Sequence, residues 1–224
     1  MKRLLALMAL VTAGAAWAGD PLPPAGDKAL DFSLQFAHTT TDFYYDGSPV
    51  HTTVKWIGVS WREPLGARLY LGAFGGYTFL TQTNNALLAG AEADGYHAGV
   101  ALHLVVYRGE RLTLFATAGT VYQNVEFQGV TQTVELEWYQ PGAELGGALA
   151  LGGGVRVYGG GNYGFVSGQE RAHGTIERTT NFERDARGGG FVGLDLDVDR
   201  DGYVGFETRT GVNRGSTIYF KRLF

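Results

Sequence analysis

The chain has 224 residues, a formal net charge of −4 and no cysteine. These values exclude a disulfide-stabilised scaffold and thiol chemistry, and the acidic balance gives no basic surface for binding nucleic acid. The 35 glycines and 13% aromatic residues are unusual for an ordinary soluble domain, and they favour tightly packed β structure with aromatic belts.

The first residues have the pattern of a secretory signal peptide. Lys2 and Arg3 precede a short apolar run, and Ala16-Trp17-Ala18 places small residues where a signal peptidase cuts. The run is shorter than the roughly 20 apolar residues of a transmembrane helix, so we expect residues 1–18 to be removed rather than kept as an anchor. Without its two basic residues the chain keeps 16 basic against 22 acidic residues, a net charge of −6.

Ten segments alternate between apolar and polar side chains with the period of two that a β-strand requires. In residues 95–107, for example, Val100, Leu102 and Leu104 share one face, while His97 and His103 lie on the other. Most segments are close to the 9 to 11 residues with which a tilted strand crosses a bilayer. The predicted strands are residues 29–38, 54–62, 67–79, 95–107, 112–123, 143–151, 155–165, 191–198, 203–212 and 217–224.

The predicted connections alternate in length. Short turns fall at residues 63–66, 108–111, 152–154 and 199–202, and long polar loops at residues 39–53, 80–94, 124–142 and 166–189. Membrane barrels of bacteria have short periplasmic turns and longer outside loops. The sequence therefore predicts an all-β fold, an antiparallel up-and-down transmembrane β-barrel of ten strands, with eight strands as the alternative and a soluble β-sandwich as the rival fold. Residues 29–224 would form the barrel, after a periplasmic segment at residues 19–28.

The C-terminal segment carries a family resemblance. Ile218, Phe220 and the terminal Phe224 stand on one face of the last predicted strand, and Arg222 shares that face. This alternation, ending on an aromatic residue, resembles the C-terminal assembly signal of small bacterial outer-membrane β-barrel proteins, although that family usually has an apolar or aromatic residue where Arg222 stands. The resemblance implies a Gram-negative outer-membrane location, contact with outer-membrane lipid and lipopolysaccharide, and recognition of the last strand by the barrel-assembly machinery.

The polar faces of the predicted strands indicate what fills the barrel. A barrel this narrow is largely filled by side chains, and buried charges must be paired or hydrated. We therefore expect an ion-pair network that closes or constricts the lumen. The inward polar residues are predicted to be Asp31, Arg68, His97, His103, Glu144, Arg156, Asp195, Asp197, Glu207, Arg209 and Lys221.

Three function classes remain open at this stage. The first is a non-catalytic surface barrel with a structural or interaction role, in which the mixed-charge residues 167–189 contact a surface partner or lipopolysaccharide. The second is a narrow pore or transporter for small solutes. The third is a lipid-modifying or proteolytic barrel enzyme that uses histidines at strand ends or in the outside loops. Its candidate residues are His38, His51 and His173, with Asp46 and Ser48 close to His51. No cofactor or metal is predicted. His97 and His103 cannot bind one metal ion together, because they lie about 20 Å apart along one strand.

Overall fold

The computed structural model describes residues 30–88 and 90–224, so the predicted signal peptide and the segment at residues 19–28 lie outside the described residues. Ten antiparallel strands form a closed barrel in which each strand pairs with its chain neighbours and β1 pairs with β10, which confirms the predicted fold. The strands are β1 (Asp31–Tyr45), β2 (Ser48–Pro64), β3 (Leu69–Gln82), β4 (Glu92–Arg108), β5 (Leu112–Gln128), β6 (Gln132–Gly152), β7 (Val155–Gly174), β8 (Arg178–Asp197), β9 (Gly202–Arg209) and β10 (Arg214–Leu223).

Within residues 30–88 and 90–224, no helix is long and apolar enough to cross a membrane.

The two ends of the barrel differ. At one end, which we call the terminal end, the backbones of Leu30 and Phe224 hydrogen-bond to each other, with Phe224 N donating to Leu30 O at 2.8 Å. The short turns at residues 65–68, 109–111, 153–154 and 198–201 lie at this same end. The opposite end, which we call the distal end, carries the other five connections between the strands.

An apolar band covers the outside of the barrel next to the terminal end. On β4, for example, Val100, Leu102 and Leu104 are 52%, 41% and 44% exposed. A row of outward tyrosines, the tyrosine belt, borders this band on its distal side. From Tyr96 to Val106 the strand advances ten residues, which spans about 25 Å for a tilted strand and equals the usual height of the lipid-facing band of a membrane barrel. The belt consists of Tyr77, Tyr96, Tyr122 and Tyr139, in which Tyr77 pairs with Tyr96 and Tyr122 with Tyr139.

The strands continue past the tyrosine belt, so the prediction of long polar loops is wrong. Residues 39–53 belong to the β1–β2 hairpin, residues 124–142 to the β5–β6 hairpin and residues 166–189 to the β7–β8 hairpin. Of the four predicted loops, the one at residues 80–94 keeps the longest stretch outside the strands, which among the described residues covers 83–88 and 90–91. On β6, the seven residues from Tyr139 to Gln132 carry the barrel about 18 Å beyond the belt.

The backbone conformation of Asp46 and Gly47 fits a tight hairpin turn between β1 and β2. Asp46 and Gly47 have φ values of 48° and 82° and form a two-residue connection. A turn with positive φ at both central residues matches the twist of the flanking strands, and aspartate followed by glycine is a favoured sequence for it. The β1–β2 hairpin is therefore locally encoded although its residues are polar.

The short β9–β10 hairpin changes the strand number along the barrel axis. It turns at residues 210–213, and beyond it β1 pairs directly with β8 through Tyr44 with Glu183 and Tyr45 with Phe182. Arg184 is almost fully buried at this junction and donates from Nη1 to Thr41 Oγ1 at 2.7 Å. The barrel thus has ten strands through the apolar band and eight at its distal mouth.

Candidate functional site

Apolar side chains fill the distal lumen, and we call them the distal plug. Phe43 stacks on Phe182 with ring centroids 4.6 Å apart and meets the edge of Trp138 at 5.5 Å. These large rings are at most 2% exposed. The buried members of the plug are Phe43, Val54, Leu80, Leu88, Ala93, Val125, Val134, Leu136, Trp138, Val166, Phe182 and Val212. Large buried apolar side chains therefore occupy the lumen at this level.

The connection between β3 and β4 closes the distal mouth over the plug. Leu88 inserts into the plug and is 1% exposed. Asn85 is buried beside it, where its Nδ2 donates to Gln82 Oε1 at 2.8 Å and to the carboxylate of Glu170. Arg178 Nη2 donates to the same carboxylate at 3.1 Å. The irregular segment is therefore tied by side-chain hydrogen bonds to β3 and β7, as a cap over the lumen.

A buried charge cluster occupies the lumen below the plug. Arg209 donates from Nε to Glu207 Oε1 at 2.9 Å, and its Nη1 lies 3.1 Å from Glu144 Oε1. The three side chains are between 1% and 4% exposed. Both carboxylates lie against the one guanidinium, and buried carboxylates are tolerated only where cations or hydrogen-bond donors compensate them.

Further ion pairs lie towards the terminal end. Arg62 donates from Nε to Asp31 Oδ2 at 2.8 Å, and both side chains are almost fully buried. Arg156 donates from Nε to Asp195 Oδ2 at 3.1 Å, and Tyr219 donates its hydroxyl to the same carboxylate. Lys221 lies at the same level, with its Nζ 5.5 Å from the centre of the Tyr203 ring and 5.9 Å from that of Tyr219.

Taken together, the charges inside the described barrel balance. Five carboxylates meet five cationic side chains, which are Asp31, Glu144, Glu170, Asp195 and Glu207 against Arg62, Arg156, Arg184, Arg209 and Lys221. Nine of the ten are buried outright, and the side chain of Arg156 is 15% exposed. Balanced, paired charges are the condition under which a low-dielectric interior tolerates ionised groups.

Two residues of the predicted lumen network lie outside its buried part. The inward placement of Arg68 is wrong, since Arg68 is exposed in the turn at residues 65–68. Asp197 pairs with Tyr203 and shares the inward face of β8 with Asp195, but as the last residue of the strand it is exposed at the terminal rim. The two histidines are inward, where Thr78 Oγ1 lies 2.9 Å from His97 Nδ1 and Thr117 Oγ1 lies 3.1 Å from His103 Nδ1.

Three buried charges escaped the sequence prediction for different reasons. Arg62 lies two positions after Ser60 on the inward face of β2, so strict alternation could have found it. Glu170 and Arg184 lie on β7 and β8, in segments that the sequence analysis predicts as polar loops, so no inward face is predicted for them.

The distal histidines lie on the outer surface. His51 Nδ1 lies 3.0 Å from Asp42 Oδ1, and this hydrogen bond is the main reason why the pKa of Asp42 lies below its usual value. His173 forms a similar pair with Glu177 at 3.1 Å in the β7–β8 turn. His38 is exposed on β1. Asp46 and Ser48 lie at the hairpin tip, and among the described residues neither is a hydrogen-bond partner of His51.

A concavity opens on the outer face of the barrel just beyond the tyrosine belt, and we call it the distal groove. Its volume is about 560 Å³. The tip of the β1–β2 hairpin lines one side, β6 lines the other, and β7 and β8 lie between them. Outward side chains that line the groove include Tyr44, Glu137, Tyr139, Gln169, Asn181 and Glu183.

The residues of the predicted assembly signal point outward. Ile218, Phe220 and Phe224 are 48%, 51% and 58% exposed on and just after β10. This strand pairs with both β9 and β1 and so contributes to closing the ring. Recognition by an assembly machinery stays a prediction.

Comparison with solved structures identifies the fold. The chain is similar to the outer-membrane protease OmpT from Escherichia coli, with a TM-score of 0.51, 12% identity, and coverage of 92% of this chain and 99% of the other. It is also similar to the translocator domain of the autotransporter NalP from Neisseria meningitidis, with a TM-score of 0.52, 12% identity, and coverage of 100% and 96%. No family model matches the chain, and no curated protein matches it. A protease and a translocator domain share this architecture, so the likeness identifies an outer-membrane-type β-barrel and leaves the activity to be argued from residues.

Proposed function

We propose that the chain is a non-conducting, non-catalytic barrel of the Gram-negative outer membrane, with a structural or interaction role that its projecting distal part performs outside the cell. The observation that carries the proposal is the distal plug with its cap. Leu88 from the cap and Trp138 from β6 belong to one buried cluster, and Asn85 ties the cap to Glu170. A solute would have to displace this packed cluster and break those hydrogen bonds before it could pass.

The orientation follows from the exterior. The apolar band next to the terminal end suits lipid, and the tyrosine belt suits the interface beyond it. The long hairpins carry polar outward side chains, such as Glu135 and Glu137 on β6, and suit water or lipopolysaccharide headgroups. This arrangement supports a periplasmic terminal end and an external distal end.

Conductance measurements test the proposal. Refolded protein in planar bilayers is expected to show no steady conductance, while a general porin inserted by the same protocol provides the open control. Heat-modifiable migration of the reconstituted protein verifies that silent membranes contain folded barrels. A stable, voltage-independent open level would overturn the non-conducting assignment and favour the pore or transporter.

Partner contacts form part of the same proposal. Outer-membrane lipid would surround the apolar band, and lipopolysaccharide would meet the belt and the surface beyond it. The barrel-assembly machinery would recognise the last strand through Ile218, Phe220 and Phe224, which expose their side chains. Residues 167–189, which form the distal part of the β7–β8 hairpin, would offer a surface to another envelope or host component.

A lipid-modifying or proteolytic enzyme is the second candidate, and the pair of His51 with Asp42 favours it. A carboxylate orients a histidine in many hydrolytic sites. His51→Gln should abolish any hydrolytic activity of the purified barrel on phospholipid or peptide substrates. His173→Gln, which alters the comparable pair with Glu177, is the matched control. Equal activity of both variants and the parent would exclude a catalytic role for His51.

A further inference from the structure

The distal groove carries hydrogen-bonding side chains that the barrel does not use for its own structure. Ser167, Asn181 and Glu183 are exposed there and have no side-chain partner among residues 30–88 and 90–224. A lone exposed polar group is satisfied by water and indicates nothing. Here, however, these groups converge with two tyrosines on one concavity of about 560 Å³. Ligand sites of small molecules commonly enclose 300 to 1,000 Å³ and combine apolar surface with a few placed polar groups.

One wall of the groove is held in place before any ligand arrives. Glu137 accepts hydrogen bonds from Tyr122 Oη at 3.1 Å and from Arg171 Nη2 at 2.7 Å. Gln169 Nε2 donates to the same carboxylate. A carboxylate fixed by three donors loses little conformational freedom on binding, which favours affinity.

The mixture of groups indicates the class of ligand. Carboxylate and carboxamide side chains such as Glu183, Asn181 and Gln169 match vicinal hydroxyls, because each hydroxyl both donates and accepts. Tyr44 and Tyr139 add rings with an apolar face and a polar hydroxyl, suited to the flat C–H face of a sugar ring. The hydrogen-bonding groups without charge outnumber the carboxylates. We propose that the distal groove is a saccharide-binding site.

The position of the groove suggests where its saccharide is found. The groove begins at Tyr139, which belongs to the tyrosine belt. If the barrel spans the outer membrane as proposed above, the groove opens where the outer leaflet displays the sugars of lipopolysaccharide. This second step rests on the proposed function, whereas recognition of sugar by the groove does not. The saccharide is therefore either lipid-linked at this surface or free in solution.

Binding of a lipid-free oligosaccharide tests the groove directly. The probe is the core oligosaccharide released from lipopolysaccharide, titrated into the refolded protein in detergent micelles and followed by calorimetry. Asn181→Ala and Tyr139→Leu should each weaken binding at least about fivefold, the effect of losing roughly 1 kcal/mol of contact. Asn84→Ala, in the cap, and Tyr77→Leu, elsewhere in the belt, are matched controls that should bind like the parent. Heat-modifiable migration verifies that each variant is folded.

Two further titrations distinguish the sources and the alternatives. Tighter binding to intact lipopolysaccharide than to the released core, lost in the groove variants, identifies the lipid-linked sugar, and equal binding identifies a free saccharide. The proposal would be overturned if sugar-deficient lipopolysaccharide bound with the same affinity as intact lipopolysaccharide, and if the groove substitutions left that affinity unchanged. Binding of spermidine without binding of oligosaccharide would also overturn it, because the carboxylates would then serve a cation. Outer-membrane fractionation is a separate readout. If the chain bound sugar but fractionated elsewhere, the outer-membrane location would be refuted and the saccharide site in the groove would stand.

Discussion

Arg209 provides the sharpest test of the buried charge cluster. Arg209→Met keeps most of the side-chain volume and removes the cation that holds Glu207 and Glu144, whose side chains are each 1% exposed. Removing one partner of a buried ion pair leaves an uncompensated charge and typically costs about 3–5 kcal/mol. Two carboxylates depend on this guanidinium, so we expect a loss in the upper part of that range.

The assay is equilibrium unfolding in urea after refolding into thin-bilayer vesicles, followed by tryptophan fluorescence and extrapolated linearly to water. Arg222→Met is the matched control, because Arg222 is 58% exposed and lies 3.5 Å from Asp199. Exposed pairs contribute about 0–1 kcal/mol. The double variant Arg209→Met with Glu207→Gln should recover part of the loss, because the lumen then keeps four charges of each sign. If Arg209→Met cost no more than Arg222→Met, the cluster would not hold charge in a dry lumen.

Three further variants test the plug, the packing of the sheet and the distal ion pair. Trp138→Ala should lower the free energy of unfolding by about 3–5 kcal/mol in the same urea assay, since it empties the centre of the plug. Gly76→Ala should cost about 1–3 kcal/mol or prevent refolding, because its Cβ would lie 2.1 Å from the carbonyl oxygen of Ile57, whereas Gly161→Ala meets nothing closer than 3.7 Å and should refold normally. The lowered pKa of Asp42 stabilises the folded state at pH values above about 4, and this contribution disappears as the pH falls through the folded pKa. Asp42→Asn should therefore unfold with a weaker pH dependence than the parent between pH 5 and pH 2, and identical pH profiles would contradict the contribution of this ion pair.

The membrane-crossing part of the barrel could be predicted because its strands all place apolar side chains outside and polar side chains inside. On β1, Phe32 and Phe36 face outward while Asp31 and Ser33 face the lumen. Apolar residues outside and polar residues inside, at a length near that of a bilayer crossing, are typical of a transmembrane strand and of little else. The strand number and the short turns followed from the same pattern.

The distal extension was missed because its alternation has the opposite polarity. On β6, Val134, Leu136 and Trp138 are buried in the lumen, while Glu135 and Glu137 face outward. Past the tyrosine belt, water replaces lipid on the outside, so the hydrophobic effect moves the apolar residues to the interior. The sequence carries this signal as a period of two that continues while its apolar residues change face. A search for lipid-facing strands alone reads such a stretch as a polar loop.

The distal groove was beyond sequence reasoning for a different reason. Tyr44, Glu137 and Asn181 lie on three strands far apart in the chain, and the groove depends on β1 meeting β8 beyond the short β9–β10 hairpin. Only the register of the closed ring brings them together. The position of Asn85 in the cap likewise depends on a long-range hydrogen bond, to Glu170.

The most direct test of the account asks which parts of the barrel face lipid and which project into water. The chain has no cysteine, so single labels can be introduced at Leu102→Cys, in the apolar band, and at Gln128→Cys, at the distal end of β5. In reconstituted vesicles, a fluorophore on the first should be quenched by brominated lipid and not by aqueous iodide, and a fluorophore on the second should show the reverse. Quenching of the Leu102→Cys label by iodide alone would contradict the account, because the outward apolar residues would then not lie in a membrane.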